Sequence, residues 1–290
     1  MNTPQADKNN NTKSILITGC SSGIGLYTAQ HLQKMGYQVY ASARKSEDVE
    51  KLKQLGLNSL QLDLDDSVSI KNAVIRLLDQ TGGELYALFN NGAYGLPGAV
   101  EDLSREALRA QFETNVFGTF ELTNLILPVM RKQGFGRIIQ NSSILGFAAM
   151  PYRGAYNGSK FALEGLTDTL RQELRGSNIH ISLIEPGPIE SDFRKNAYTA
   201  FQTFIDATNS IHKDNYNSMV ERLNKEGPAA PFTLGPEAVC ERVVHALQAK
   251  RPQLRYYVTK PTYIMAYLKR LLSTRAMDWV LMKAGGDGKR

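Results

Sequence analysis

A chain of 290 residues with 34 Lys+Arg, 28 Asp+Glu, a formal net charge of +6 and 42% hydrophobic residues has a globular composition, which excludes disordered and fibrous classes. Two distant cysteines, Cys20 and Cys240, exclude a disulfide framework, and four isolated histidines (His31, His180, His212, His245) exclude a histidine-rich metal site. No apolar run reaches about 18 residues and the polar N-terminus carries no secretory signal, so the chain reads as a soluble protein of a reducing cytoplasm.

Residues 1–13 read as a disordered polar arm. The apolar, β-branched run at 14–18 predicts a strand, and helical spacing of Ile24, Ala29, Leu32 and Met35 predicts a helix over 24–35, stopped by Gly36. Strands follow at 37–43, 59–64 and 85–91, separated by helices at 46–55 and 67–80. Residues 104–132 are helical, as one helix or two, and lead to a strand at 136–143, a long helix at 155–176 and a strand at 179–187. Residues 188–234 are polar without a clear strand and read as a lid or insertion. A helix at 235–249, a strand at 255–259 and two amphipathic helices near 261–273 and 275–284 complete the chain.

Strand and helix alternate, and no linker divides them. This predicts one α/β domain over 14–260, a doubly wound (Rossmann) seven-stranded parallel sheet with helices on both faces, followed by a C-terminal helical extension at 261–290.

The first strand runs into TGCSSGIG at 18–25. Gly19 allows a tight turn, Gly23 a close backbone approach, and Gly25 close helix–strand packing. The following helix N-terminus presents N–H groups and a positive dipole end to a pyrophosphate, so the loop predicts a dinucleotide. At the end of the second strand the chain reads Ala43-Arg44-Lys45, with no carboxylate before Glu47. A guanidinium there suits a 2′-phosphate, so NADP(H) is favoured over NAD(H).

Tyr156 and Lys160 stand at i and i+4 on one helical face, where an ammonium is expected to lower the phenol pKa from about 10. Ser143 lies thirteen residues earlier at a strand end, as do Asn91 and Gly187. Carboxyl ends of strands are where ligands bind in open parallel sheets.

These residues together resemble the short-chain dehydrogenases/reductases. TGCSSGIG at 18–25, Asn90-Asn91-Gly92-Ala93, Asn115, Ser143, the Tyr156/Lys160 pair and Pro186-Gly187 match that family's motifs in order and spacing, over roughly 13–260. ITGCSSGIG, YNGSKFALEGLTDTLRQEL and SLIEPGPI look most like the branch of retinol and 17β-hydroxysteroid dehydrogenases and their bacterial aldehyde-reductase-like relatives.

The resemblance implies a catalytic set of Asn115, Ser143, Tyr156 and Lys160. Tyr156 would be the general acid or base, and Lys160 would hold the nicotinamide ribose and lower the Tyr156 pKa. Ser143 would bind the carbonyl oxygen, and Asn115 would hold a water leading from Lys160 to solvent. It implies cofactor binding by Gly19, Ser21, Ser22, Gly23, Ile24, Gly25, Arg44, Asp63, Leu64, Asn91, Gly92, Pro186, Gly187 and Ile189, with Tyr156 and Lys160 shared. It also implies a homodimer or homotetramer through the helices carrying Asn115 and Tyr156. The family order is Asn-Asn-Ala-Gly, so the exchange of Gly92 and Ala93 puts alanine where a glycine would allow positive φ. Of the two adjacent serines, Ser143 has the family spacing, and Ser142 is expected to support the strand.

Other residues leave two readings open. Cys20 either fills space or is a reactive thiol at a helix N-terminus, and His212 either faces the pocket or is solvated. Phe193, Tyr198, Phe201 and Phe204 either form an apolar lid or anchor the segment to the body. Residues 246–290 carry ten basic and two acidic side chains, a charge of +8 that leaves −2 for the rest. The basic, amphipathic tail with Trp279 therefore covers the pocket, makes a subunit contact or touches a membrane surface. The expected function is NADP-dependent hydride transfer between the nicotinamide and a lipophilic aldehyde, ketone or alcohol (retinoid-, steroid- or simple aldehyde-like), running as a reductase in the cell. The alternative is a non-catalytic NADP(H)-binding sensor on the same fold. A nucleic-acid partner is not expected, because the body of the chain is not basic.

Overall fold

The computed structural model describes residues 13–228 and 230–286. The arm expected over 1–13 falls outside this range except for Lys13, as does the end of the tail beyond 286.

The strands are β1 (Ser14–Ile17), β2 (Gln38–Ala43), β3 (Asn58–Gln61), β4 (Ala87–Asn90), β5 (Gly136–Asn141), β6 (Ile179–Glu185) and β7 (Arg255–Tyr257). All pair in parallel, in the order β3-β2-β1-β4-β5-β6-β7. The helices are α1 (Gly23–Lys34), α2 (Ser46–Gln54), α3 (Ser67–Thr81), α4 (Arg105–Phe112), α5 (Thr119–Gln133) and α6 (Gly154–Glu173). They continue as α7 (Phe193–Phe204), α8 (Lys213–Asn224), α9 (Glu237–Gln248), α10 (Lys260–Leu271) and α11 (Thr274–Ala284).

The sheet is buried on both faces, which is why its strands are apolar at successive positions rather than alternately. Ile15, Ile17, Val39, Ala41, Ala87 and Phe89 face a layer built from α1, α2 and α9. Leu16, Tyr40, Leu88 and Ile138 face the opposite layer, built from α3, α5 and α6. Winding reverses at β1, where Ile17 pairs with Ala41 of β2 on one side and Phe89 of β4 on the other. The crevice at this switch point is where the site forms.

Several boundaries differ from the sequence expectation for local reasons. β3 stops at Gln61, because its last ladder bond is Leu62 N–H to Ala43 O at 3.0 Å. The next N–H, of Asp63, turns to Ser69 Oγ at 3.0 Å. Residues 104–132 form one run in which α4 and α5 are joined by a π-helical segment, Glu113–Gly118.

The 188–234 segment, read as a polar lid or insertion without a strand, is largely helical. It contains α7 and α8, whose inner faces bury Ala197, Ala200, Phe201, Tyr216, Met219 and Leu223. A bridge between Ile189 and Leu234 closes its base. Its average polarity conceals two amphipathic stripes. Tyr216 fastens α8 to the body: its hydroxyl accepts from Ala99 N–H at 2.9 Å and donates to Asp102 Oδ2. α10 and α11 turn Met265, Met277 and Leu281 inward onto Ile144, Leu145 and Ala148 beside the β5–α6 connection. Among the described residues, no helix is long and apolar enough to cross a membrane.

Candidate active site

The turn leaving β1 needs glycine at two positions of positive φ, +70° at Gly19 and +56° at Gly23. A Cβ on Gly25 would stand 2.3 Å from Gly19 O, so only glycine lets α1 close over the loop. Ser22, the N-cap of α1, is extended and makes no side-chain capping bond, and the first turn holds no acidic residue. Its N–H groups are therefore left for an external anion.

Asn91 ties the strand ends around this turn. Its Nδ2 donates to Thr18 O at 3.0 Å and Gly19 O at 3.1 Å, and its Oδ1 accepts from Asn141 Nδ2 at 2.9 Å. Thr18 Oγ1 accepts from Asn91 N–H at 2.9 Å and Gly92 N–H at 2.8 Å. The Gly92/Ala93 exchange is harmless to the backbone. Among described non-glycine residues only Tyr152, Asn178 and Phe232 have positive φ, so Ala93 is unstrained. Glycine at 92 serves space instead, since a Cβ there would sit 3.1 Å from Leu64 Cδ1 and 3.2 Å from Thr18 Oγ1.

Ser143 lies two residues beyond the end of β5 and Tyr156 in the first turn of α6, close enough for the serine hydroxyl to act on the phenol's ionisation. Ser143 Oγ also accepts from Leu145 N–H at 3.1 Å, which fixes its rotamer. The neighbouring Ser142 instead donates to Glu164 Oε1. Glu164 shares Arg255 with Glu185 and Asp168, a buried ionic cluster at the sheet edge. Ser142 therefore belongs to the framework, as expected.

The electrostatics of the pair differ from the sequence expectation. Burial pushes the Tyr156 phenol up to about 12, opposed by the Ser143 hydrogen bond. Lys160 Nζ donates to Asn141 O at 2.7 Å and lies 5.7 Å from the centroid of the Tyr156 ring. The ammonium is itself pulled down to about 8 by burial, against the support of Glu164. Desolvation outweighs the attraction expected from i,i+4 spacing alone.

A cleft of about 940 Å³ joins these parts. It runs from Gly19, Ser21, Ser22, Gly23 and Ile24, past Asn91 and Gly92, to Ser143, Tyr156 and Lys160, with Pro186, Gly187 and Ile189 along one wall. Five expected site residues do not border it: Gly25, Arg44, Asp63, Leu64 and Asn115. Gly25 packs beneath the loop. Arg44 is exposed at the end of β2, close enough to Asp65 and Tyr94 for its charge to lower their pKa values against the burial that raises both.

Asn115 sits in the π-helical segment. It donates to Tyr94 O at 2.9 Å and Ser159 Oγ at 3.0 Å, and accepts from Tyr94 N–H at 3.2 Å. It thereby locks α6 to the chain leaving β4.

The aromatic residues of 188–234 divide between the two readings. Phe193 meets the Tyr156 ring edge-on at 5.4 Å and lines the cleft, whereas Phe201 is buried in the segment's own core. His212 does neither expected thing; it bridges Tyr152 and Glu101 outside the cleft. Cys20 is fully buried and its thiol is pushed up to about 12 by burial, so the space-filling reading holds. Pro261, Met265, Ala284 and Gly285 bring the C-terminal helices to the cleft wall. Sequence reading missed Thr18, Asn141, Arg153 and Arg222, whose roles come from contacts between distant segments and not from local spacing.

The short chain dehydrogenase family profile matches residues 13–201. The uncharacterized oxidoreductase YbbO of Escherichia coli strain K12 is 43% identical over 269 residues, covering 93% of this chain and 94% of that protein. The chain belongs to the short-chain dehydrogenase/reductase family.

Human 17-beta-hydroxysteroid dehydrogenase type 1 is 34% identical over 260 residues, 85% of this chain and 77% of that one, which agrees with the branch read from the motifs. A short-chain dehydrogenase structure from Streptomyces avermitilis shares the fold with a TM-score of 0.75 at 24% identity, covering 96% of this chain and 98% of that one. This short-chain dehydrogenase is an oxidoreductase of CH–OH and C=O groups that uses a nicotinamide dinucleotide.

Proposed function

We propose that the protein is an NADP-dependent reductase of lipophilic aldehydes or ketones. The observation that carries this reading is the pairing of Ser143 and Tyr156 in the same cleft as the uncapped first turn of α1. A dinucleotide suits this cleft: the loop's free N–H donors would take the pyrophosphate, and Lys160, tied to Asn141 O at 2.7 Å in the same cleft, would hold the nicotinamide ribose.

The bound cofactor would supply the hydride to the carbonyl carbon. Tyr156 would donate its phenol proton to the carbonyl oxygen, giving the alcohol. Burial keeps that phenol protonated at neutral pH, which suits the reductive direction. Ser143 would hold the same oxygen by a hydrogen bond as charge develops on it. The Lys160 ammonium would offset the phenolate left behind, and Asn115 would keep α6 in register with the β4 end.

Arg44, with no carboxylate at the end of β2, supports NADP over NAD. Steady-state oxidation of NADPH and NADH with a panel of alkyl and aromatic aldehydes tests both parts. No turnover with any carbonyl would remove the catalytic reading in favour of a nucleotide sensor, and a higher kcat/KM with NADH would remove the cofactor preference.

Three features bear on partners. Phe117, Phe161 and Leu166 are exposed on the π-helical segment and α6, which supports a homodimer or homotetramer through these helices. Ile264, Tyr267, Leu271 and Trp279 are exposed on the outer faces of α10 and α11 among basic residues, which supports peripheral contact with an anionic lipid surface. Co-sedimentation with phosphatidylserine vesicles tests that contact. Two buried, unbridged cysteines are consistent with a cytoplasmic location.

A further inference from the structure

The substrate end of the cleft gathers positive charge that the hydride-transfer reading does not use. Three guanidinium groups from three elements line it: Arg153 at the N-cap of α6, Arg194 on α7 and Arg222 on α8. They sense one another. Arg153 is pulled down to about 10, first by burial and then by the charge of Arg222. Arg222 is lowered by burial and by Arg194. Convergence of like charges in a partly desolvated wall is unfavourable unless an anion joins them.

The three differ in what they already hold. Arg194 is engaged by the backbone, donating to Arg222 O at 3.2 Å, Lys225 O at 2.7 Å and Gly227 O, so it clamps the end of α8. Arg153 donates to Pro151 O at 3.0 Å, three residues ahead of Tyr156. Arg222 differs from both. Its Nε is buried without a hydrogen-bond partner, and among the described residues it forms no salt bridge. The carboxylates of the same cleft, Glu190 and Asp192, make no ion pair with it either. They flank Ser191, which lies against Gly23 of the glycine loop. The same cleft has apolar wall beside Tyr156, from Met150, Phe193 and Met265.

We propose that Arg222, with Arg153 beside it, is an anion subsite for the substrate. The preferred carbonyl compounds then have an apolar body and an anionic group, carboxylate or phosphate, at the end remote from the carbonyl. A guanidinium fork is suited to both oxyanions. This rests on the reading of Tyr156 and Ser143 as the carbonyl end of the site.

Matched substrates test it. With NADPH, 9-oxononanoic acid is compared with its methyl ester, and 4-formylphenyl phosphate with 4-methoxybenzaldehyde. The anionic member of a pair should have the lower KM, and the pair that shows it identifies the head group. In Arg222→Gln the anionic-over-neutral ratio of kcat/KM should fall roughly tenfold to a hundredfold, chiefly through KM. Arg222→Lys should recover part of it, and serves in its place if the glutamine variant does not fold.

A preference for the neutral member in both pairs, or an unchanged ratio in Arg222→Gln, overturns the subsite. An equal loss of NADPH affinity in that variant overturns it too, since the arginine would then serve the cofactor. Calorimetric titration of the NADP⁺-bound protein with 9-hydroxynonanoate and 1-nonanol needs no turnover. Tighter hydroxynonanoate binding that Arg222→Gln abolishes supports the subsite even where the aldehydes are not reduced, and equal binding of the two alcohols overturns it. Absence of reduction with every aldehyde would count against the catalytic reading alone.

Discussion

The two ends of the cleft are built by different means. The cofactor end is made of strand termini and one tight turn. The turn itself spans only a few residues, and its geometry is enforced by contacts such as Gly25 against Gly19 O. The substrate end is assembled from α7, α8, α10 and α11, elements outside the sheet that meet through side chains. The first is a backbone device, and most substitutions there act on the fold and the cofactor together. The second is a side-chain device, and substitutions there should change what is bound while leaving the sheet alone.

The sharpest division should appear where the two ends meet. Tyr156→Phe removes the proton donor and should lower kcat for aldehyde reduction by about 10²–10⁴-fold. Ser143→Ala should cost about 10²–10³-fold in kcat. Ser142→Ala should act mainly on thermal stability, because its hydroxyl serves Glu164. Single-turnover kinetics beside a thermal melt separate these outcomes; a Ser142 variant that is inactive but normally stable would reverse the serine assignment.

At the cofactor end, Arg44→Ala should reduce the NADPH-over-NADH ratio of kcat/KM by roughly tenfold to a hundredfold, the worth of a charge-assisted contact to a phosphate. At the other end, Phe193→Ala should raise KM for apolar aldehydes by roughly tenfold while NADPH affinity stays within a factor of two, as expected for loss of one aromatic wall. If NADPH affinity falls with it, the two ends are not separable devices.

The pH dependence follows from burial at the junction. Lys160 holds its proton up to about 8, whereas the Tyr156 phenol holds its own up to about 12. The ammonium is therefore present below pH 8 and lost as pH rises through it, while the acid itself remains protonated. The kcat/KM for NADPH, which reports groups titrating in the free enzyme, should decline above pH 8 by less than the loss in Tyr156→Phe. A flat profile to pH 10 would show that the Lys160 charge does not contribute.

How much of this is legible in sequence follows the same division. The glycine loop, Ser143 and the Tyr156/Lys160 pair are local patterns with chemistry attached, and the cleft brings them together. The parallel, doubly wound sheet follows from alternation of strand and helix. Local spacing is silent about burial, however, so it gives the wrong sign for the Tyr156 pKa. It is equally silent about contacts between remote segments. Arg153 and Arg222 come near each other through the packing of α8 on the body, which the Tyr216–Asp102 bond helps to hold, and Asn141 matters because its carbonyl accepts from Lys160 while its amide holds Asn91. The 188–234 segment was hidden by its mean polarity, although its apolar residues recur with helical period.

The bare first turn of α1 has a consequence for the protein's heat tolerance. A helix whose opening N–H groups have no internal acceptor is completed only by what binds there. The dinucleotide would then be a structural ligand as well as a reactant. At a concentration one hundred times its Kd, it would add about 2.7 kcal/mol to the unfolding free energy. For a chain of this size that corresponds to a rise in melting temperature of roughly 4–5 °C. In a cell whose cofactor pool varies, the lifetime of this enzyme would vary with it.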